Sequence, residues 1–159
     1  MKFTTRSRYG TQLLIDVGMH EADGPVSLRD VSERLGVSVK YLEKICRALR
    51  EAGYLESVVG ARGGYTLNAH ASSIRMGDVV FLLETGDKKL TSLTTSLSSC
   101  PCGDGCSIRT LWIRALCAMR DELNTVTLES LLRDACFCPD TPCIASTVYG
   151  VSSPPFNKE

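Results

Sequence analysis

The stretch "VSLRDVSERLGVSVKYLEKICRALREAGYLESVVGARGGYTL", residues 26 to 67, decides the fold. Ser27 stands three residues before Asp30, the spacing of a helix N-cap, and Leu28, Val31 and Leu35 follow on one helical face. Gly36 ends that short helix. Ser38 stands where a second helix would be capped, and Leu42, Ile45, Cys46 and Leu49 then keep helical spacing until Gly53. Two helices joined by a Gly-containing turn predict a helix-turn-helix, with the second helix as reader. After Gly53 the residues alternate, turn through Gly60, Gly63 and Gly64, and alternate back. That pattern predicts a two-stranded wing with Arg62 at its tip.

The outward face of the predicted reader presents Ser38, Lys40, Tyr41, Glu43, Lys44, Arg47 and Arg50. A charged helix face is most often simply solvated, and helix-turn-helix spacing recurs by chance. The ordered combination of short helix, turn, reader and arginine-tipped wing is what points to nucleic acid. An arginine on a glycine hairpin suits a phosphate or a narrow minor groove. Cys46 sits on the apolar face and reads as a small core residue. Upstream, "TTRSRYGTQLLIDVGMHE", residues 4 to 21, predicts an amphipathic helix with Leu13, Leu14, Val17 and Gly18 inward and Thr4 or Thr5 as cap. "ADGP" at 22 to 25 breaks it.

Working outward, 159 residues suffice for one domain, or a small domain plus an extension. The 43% apolar content is ordinary, and no run reaches bilayer length. The first residues, "MKFTTRSRYGTQ", are polar where a secretory signal would be apolar, so a cytoplasmic location is expected. Net charge is zero; residues 1 to 67 carry ten Lys/Arg against eight Asp/Glu, and the remainder eight against ten. So weak a bias leaves the nucleic-acid reading to motif and geometry. No Ser/His/Asp or Cys/His constellation, phosphate-binding glycine loop or carboxylate pair beside a histidine appears, which argues against an enzyme.

Eight cysteines in a reducing compartment argue for metal or redox chemistry rather than a disulfide framework. Three fall in "SSCPCGDGCSIRTLW", residues 98 to 112, and three in "ACFCPDTPC", residues 135 to 143. Soft thiolates in glycine- and proline-rich loops suit an iron–sulfur or zinc centre, while a reduced, unligated loop is the bland alternative. Cys117 in "LWIRALCAMRDEL" reads as a packing residue, with Ile113, Leu116 and Leu123 nearby. His20 and His70 have no motif support as ligands, and "STVYGVSSPPFNKE" reads as a polar tail, expected to be disordered.

The segments "MKFTTRSRYG", the 26–67 stretch, "ASSIRMGDVVFLLE", "CSIRTLW" and "DELNTVTLESLLRD" together resemble the Rrf-two family of winged-helix transcription regulators, which includes IscR, NsrR and CymR. The likeness covers roughly residues 1 to 135, and "YLE" followed by "GARGGY" is its most specific part. It implies a mainly α fold with a small β wing: a winged helix-turn-helix over 1–84, a cysteine-rich loop over 85–107, and dimerisation and following helices over 106–135. For the second cysteine knot and its tail, 136–159, the likeness offers nothing, and a second metal site or fourth ligand, a thiol switch and a bystander loop all stay open. It also implies a homodimer crossing at a helix of about 106 to 124, reading a pseudo-palindromic double-stranded DNA operator. By similarity Ser38, Tyr41 and Glu43 approach base edges; Lys40, Lys44 and Arg47 meet the backbone, and Arg62 a phosphate or the minor groove.

The resemblance further implies an iron–sulfur cluster that senses redox, nitric oxide or iron status. Cys106 lies six residues before Trp112, and Cys100 six before Cys106, as in the cluster-binding branches. Thr94 stands near the first family cysteine position, and Cys102 is offered in its place. Arg109 occupies the position of one branch's histidine ligand, while Arg8 and Gln12 lie near the helix position that supplies it in others. Arginine stays protonated and does not ligate iron in the usual way. Cys136, Cys138 and Cys143 remain candidates for further ligands, and the cluster type is open. The alternatives are a zinc or thiol–disulfide switch on the same fold, and a cluster carrier that binds no DNA.

Overall fold

The structure, a computed structural model, describes residues 3–60, 62–85 and 107–134. The chain order is α1 (Thr5–His20), α2 (Leu28–Leu35), α3 (Val39–Glu51), β1 (Leu55–Val58), β2 (Gly64–Leu67), α4 (Met76–Thr85), α5 (Ser107–Leu123) and α6 (Leu128–Asp134). The expected architecture, helices carrying a small β wing, is what these elements form.

The core gathers inward stripes from most of that order. Leu13, Leu14 and Val17 of α1, Val31 of α2 and Leu42, Ile45, Cys46 and Leu49 of α3 are buried with Leu55, Val79, Leu83 and Leu128. The Ser27 hydroxyl accepts from the Asp30 amide at 3.2 Å, as a cap should. Gly36 closes α2 at φ +64°, a left-handed turn that a side chain would strain. Asp16, buried on α1, receives Arg34 Nε at 2.8 Å and Nη2 at 2.6 Å, fastening α2 to α1. Hydrogen bonding to Asp16 raises the Arg34 pKa above its ordinary value.

The wing strands pair antiparallel, Leu55 opposite Leu67 and Val58 opposite Gly64. Val26 joins this ribbon: its amide donates to the Tyr65 carbonyl at 2.9 Å and its carbonyl accepts from the Tyr65 amide at 2.8 Å. The backbones approach so closely that a Cβ on Gly64 would collide with the Val26 carbonyl. The wing is thus anchored to the segment that opens the helix-turn-helix.

The C-terminal half of α5 is held against α4. Arg120 donates to Asp78 Oδ1 from Nε at 2.9 Å and Nη2 at 2.6 Å; Asn124 Oδ1 accepts from the Asp78 amide at 3.0 Å. Arg120, with help from Asn124, holds the Asp78 carboxyl below its usual pKa. A carboxyl depressed by folding stabilises at pH above its unfolded pKa and stops doing so as pH falls through the lower folded one. The melting-temperature gap between wild type and Asp78→Asn should therefore be widest above about pH 5 and shrink below about pH 3 in thermal scans.

Candidate nucleic-acid interface

The core fixes one side of α3, and the other side emerges by default of the 3.6-residue repeat. Ser38, Lys40, Glu43, Lys44, Arg47 and Arg50 are exposed. The Ser38 carbonyl accepts from the Tyr41 and Leu42 amides at 3.0 and 3.1 Å, but its hydroxyl makes no capping bond. That hydroxyl is left for an outside partner. Tyr41 differs from the sequence expectation: it is half-buried, its ring standing edge-on to Tyr9 with centroids 6.1 Å apart. Arg8 lies 4.7 Å above the Tyr9 ring and donates from Nη2 to the Tyr9 hydroxyl at 3.0 Å. α1 therefore sets the position of one residue of the reader.

At the wing, Arg62 is exposed, and the Gly63 amide closes the turn on the Gly60 carbonyl at 2.9 Å. Two residues escaped the sequence reading. Val39, at the start of α3, is 37% exposed, and Val59, beside the turn, is 97% exposed. Apolar side chains at these positions can meet a thymine methyl or a sugar. Val39 lies off the inward stripe of α3, a signal the sequence carried, whereas Val59 follows the last residue of β1 and no alternation marks it.

The candidate ligands Cys100, Cys102, Cys106, Cys136, Cys138 and Cys143 lie outside the described residues. Both cysteines within them are free. Cys46 is buried in the core, and burial pushes its thiol up to about 12. It stays protonated and hidden, unsuited to metal or redox work. Iodoacetamide at pH 8 should leave Cys46 unmodified in native protein by mass spectrometry and alkylate it only in denaturant. Cys117 is exposed on α5. Among the described residues no group of three His, Cys, Asp or Glu side chains could hold a metal ion. His20 bonds through Nδ1 to the Asp16 carbonyl at 2.7 Å, and Gln12 and Arg8 help line a cavity of about 430 Å³ with Phe3, Val80 and Leu123.

Glu84, in the last turn of α4, leads toward the cysteine loop. Its Oε1 accepts from the Thr4 amide at 2.8 Å, the Thr4 hydroxyl at 2.9 Å and the Ser7 hydroxyl at 2.5 Å. The Thr4 side chain, expected as a helix cap, is spent on this clasp instead. The end of α4 is thereby tied to the first turn of α1.

The family described as "Rrf2: Iron-dependent Transcriptional regulator" matches residues 3–134. The chain belongs to the Rrf2 family. It is 48% identical over 143 residues to the protein rrf2 of Nitratidesulfovibrio vulgaris, spanning 90% of this chain and 95% of that one. With the regulator IscR of Vibrio campbellii it shares 37% identity over 84% of this chain and 79% of the other. Among solved structures, IscR of T. potens superposes with a TM-score of 0.67 at 33% identity, covering 85% of this chain and 88% of that one. The oxidized form of CymR from Staphylococcus aureus gives a TM-score of 0.62 at 37% identity, covering 83% and 96%. This Rrf2 chain is a transcription regulator similar to IscR and CymR, and regulators of the family bind DNA; its relatives are not enzymes. Among the described residues no helix is long and apolar enough to cross a membrane.

Proposed function

We propose that this Rrf2 protein is a cytoplasmic homodimeric regulator that reads a pseudo-palindromic operator and senses redox, nitric oxide or iron status through a cysteine-ligated iron–sulfur cluster. Ser38, Tyr41 and Glu43 take the base-reading role, Lys40, Lys44 and Arg47 the phosphate role, and Arg62 the wing contact. Cys100, Cys102 and Cys106 hold the cluster, with Cys136, Cys138 and Cys143 as further candidates. The donor chemistry fits: thiolates are the usual ligands of such a centre, and Cys46, buried in the core, is taken up by packing. The family's description as iron-dependent and the likeness to IscR support the same choice.

The observation that carries the sensing half is the Glu84 clasp. It joins the end of α4, after which the sequence runs on to the cysteines, to α1, and α1 meets the reader where Tyr9 stands against Tyr41. When bound, the cluster supplies a charge and ligation state that answers oxidants, nitric oxide and iron supply. The protein's part is a loop ordered by its own ligands, and an α1 edge whose position follows that loop. A coupling of about 1–3 kcal/mol between the two suffices for a 5- to 150-fold change in affinity.

A second reading, a thiol–disulfide or zinc switch on the same frame, is favoured by the likeness to CymR, one of whose structures is an oxidized form. Anaerobic purification separates the two. Visible absorption with stoichiometric iron and acid-labile sulfide supports the first; colourless protein with zinc, or with reversible loss of free thiols, supports the second. Equal operator affinity of cluster-loaded and metal-free protein with every thiol reduced would sink the first reading.

A further inference from the structure

Arg8, in the first turn of α1, is exposed, and among the described residues it pairs with no carboxylate. Its guanidinium lies 4.7 Å over the Tyr9 ring and spends one N–H on the Tyr9 hydroxyl at 3.0 Å. Tyr9 in turn stands edge-on to Tyr41, in the first turn of α3. A cation on one helix is thus held two ring contacts from the start of another. Stacking fixes the plane of the fork, and most of its donors stay unspent.

We propose that Arg8 grips a backbone phosphate on the wall of the groove that α3 enters, with Tyr9 as the positioning residue for its guanidinium. The inference rests on the DNA-reading role of α3 given above and carries the interface onto α1. Size selects a phosphate over a base. An α-helix with its side chains is about 10–12 Å across and the major groove about 12 Å wide, so a reader fills the groove. A group displaced sideways from the reader by an aromatic ring therefore meets the wall, which is a row of phosphates. Tyr41 marks that side: it is half-buried on the flank of α3 toward α1, while Lys40, Lys44 and Arg47 are exposed. Chemistry agrees. A planar fork of N–H groups matches phosphate oxygens, and no carboxylate among the described residues competes for it. The contact also gives α1 a grip on DNA of its own. Glu84 clasps Thr4 and Ser7 in the same turn of α1, so a shift of that turn reaches a phosphate without passing through the reader.

The full chain, purified anaerobically, is titrated by fluorescence anisotropy at several salt concentrations on two duplexes. One has random sequence; the other is selected from a random pool by the wild-type protein. Arg8→Ala should weaken binding to both alike, on the order of tenfold per contact at about 0.1 M salt. It should also lower the slope of log affinity against log salt by about one for each copy that meets the duplex. Arg8→Lys keeps the charge and should keep the slope. Tyr9→Phe retains the ring against Tyr41 and removes only the hydroxyl, so it should weaken wild type and add nothing in the Arg8→Ala background. Neutral methylphosphonates placed one at a time along the selected duplex should weaken wild type at a position to which Arg8→Ala is indifferent. Helical circular dichroism, iron and acid-labile sulfide should stay unchanged in every variant. An unchanged salt slope, the lack of any such phosphate, or a loss that tracks iron content overturns the proposal while the reading of α3 stands. A pool from which wild type selects no sequence removes the reader, and the wall argument with it.

Discussion

Cys106→Ala should yield protein whose iron and acid-labile sulfide both fall by at least about tenfold when purified anaerobically, with its visible absorption gone. The donors explain the size of the effect. A centre held by thiolates from a short loop has no neutral substitute among alanine, arginine and glutamine, and Arg109, Arg8 and Gln12 are the residues at the family's other ligand positions. In the proposed centre the ligands would order the segment that carries them, so losing one thiolate would cost that order as well as one bond. Cys46→Ala is the matched control: a buried, protonated thiol is removed from the core, which should lower stability by about 1 kcal/mol and leave iron and sulfide unchanged. Cys102→Ala and Cys138→Ala extend the series. A full complement of iron in Cys106→Ala would take the first loop out of the ligand set, whatever the two other variants did.

The helix-turn-helix was legible because its signals are local. A cap at Ser27, a left-handed Gly36 and an inward stripe through Leu42, Ile45, Cys46 and Leu49 each need only a few neighbouring residues to be recognised. What the sequence hid is what depends on distance along the chain. Thr4 reads as a cap by local rules, but Glu84, 80 residues away, takes both its amide and its hydroxyl. Tyr41 reads as outward by position; only the packing of α1 on α3 brings Tyr9 beneath it. Val26 reads as the residue before a cap, and the ladder it makes with Tyr65 appears once the wing has folded back. The candidate site is thus half legible: the exposed face of α3 could be read from its spacing, while the links between its parts come from tertiary packing that no periodicity encodes.

Those links bear on how the DNA surface should respond to substitution. Arg62→Ala should weaken operator binding by about 1–3 kcal/mol in a titration at fixed salt. The side chain is exposed on a turn closed by Gly60 and Gly63, so its removal leaves the core untouched and the loss registers in binding alone. The salt dependence divides its two roles. Where Arg62 neutralises a phosphate, the substitution lowers the slope of log affinity against log salt by about one, uniformly across sequences. An arginine seated in a narrow minor groove is worth more on A·T-rich flanks, so there the weakening falls unevenly across operators. Glu43→Ala should act in the opposite sense. A carboxylate facing DNA accepts from a cytosine amino group at the right site and repels phosphate and bare acceptors elsewhere. Its removal should narrow the gap between operator and random duplex, chiefly by strengthening the latter. Unchanged affinity in Arg62→Ala would remove the wing from the interface, and an unchanged operator-to-random ratio in Glu43→Ala would reduce that residue to a solvated charge on α3.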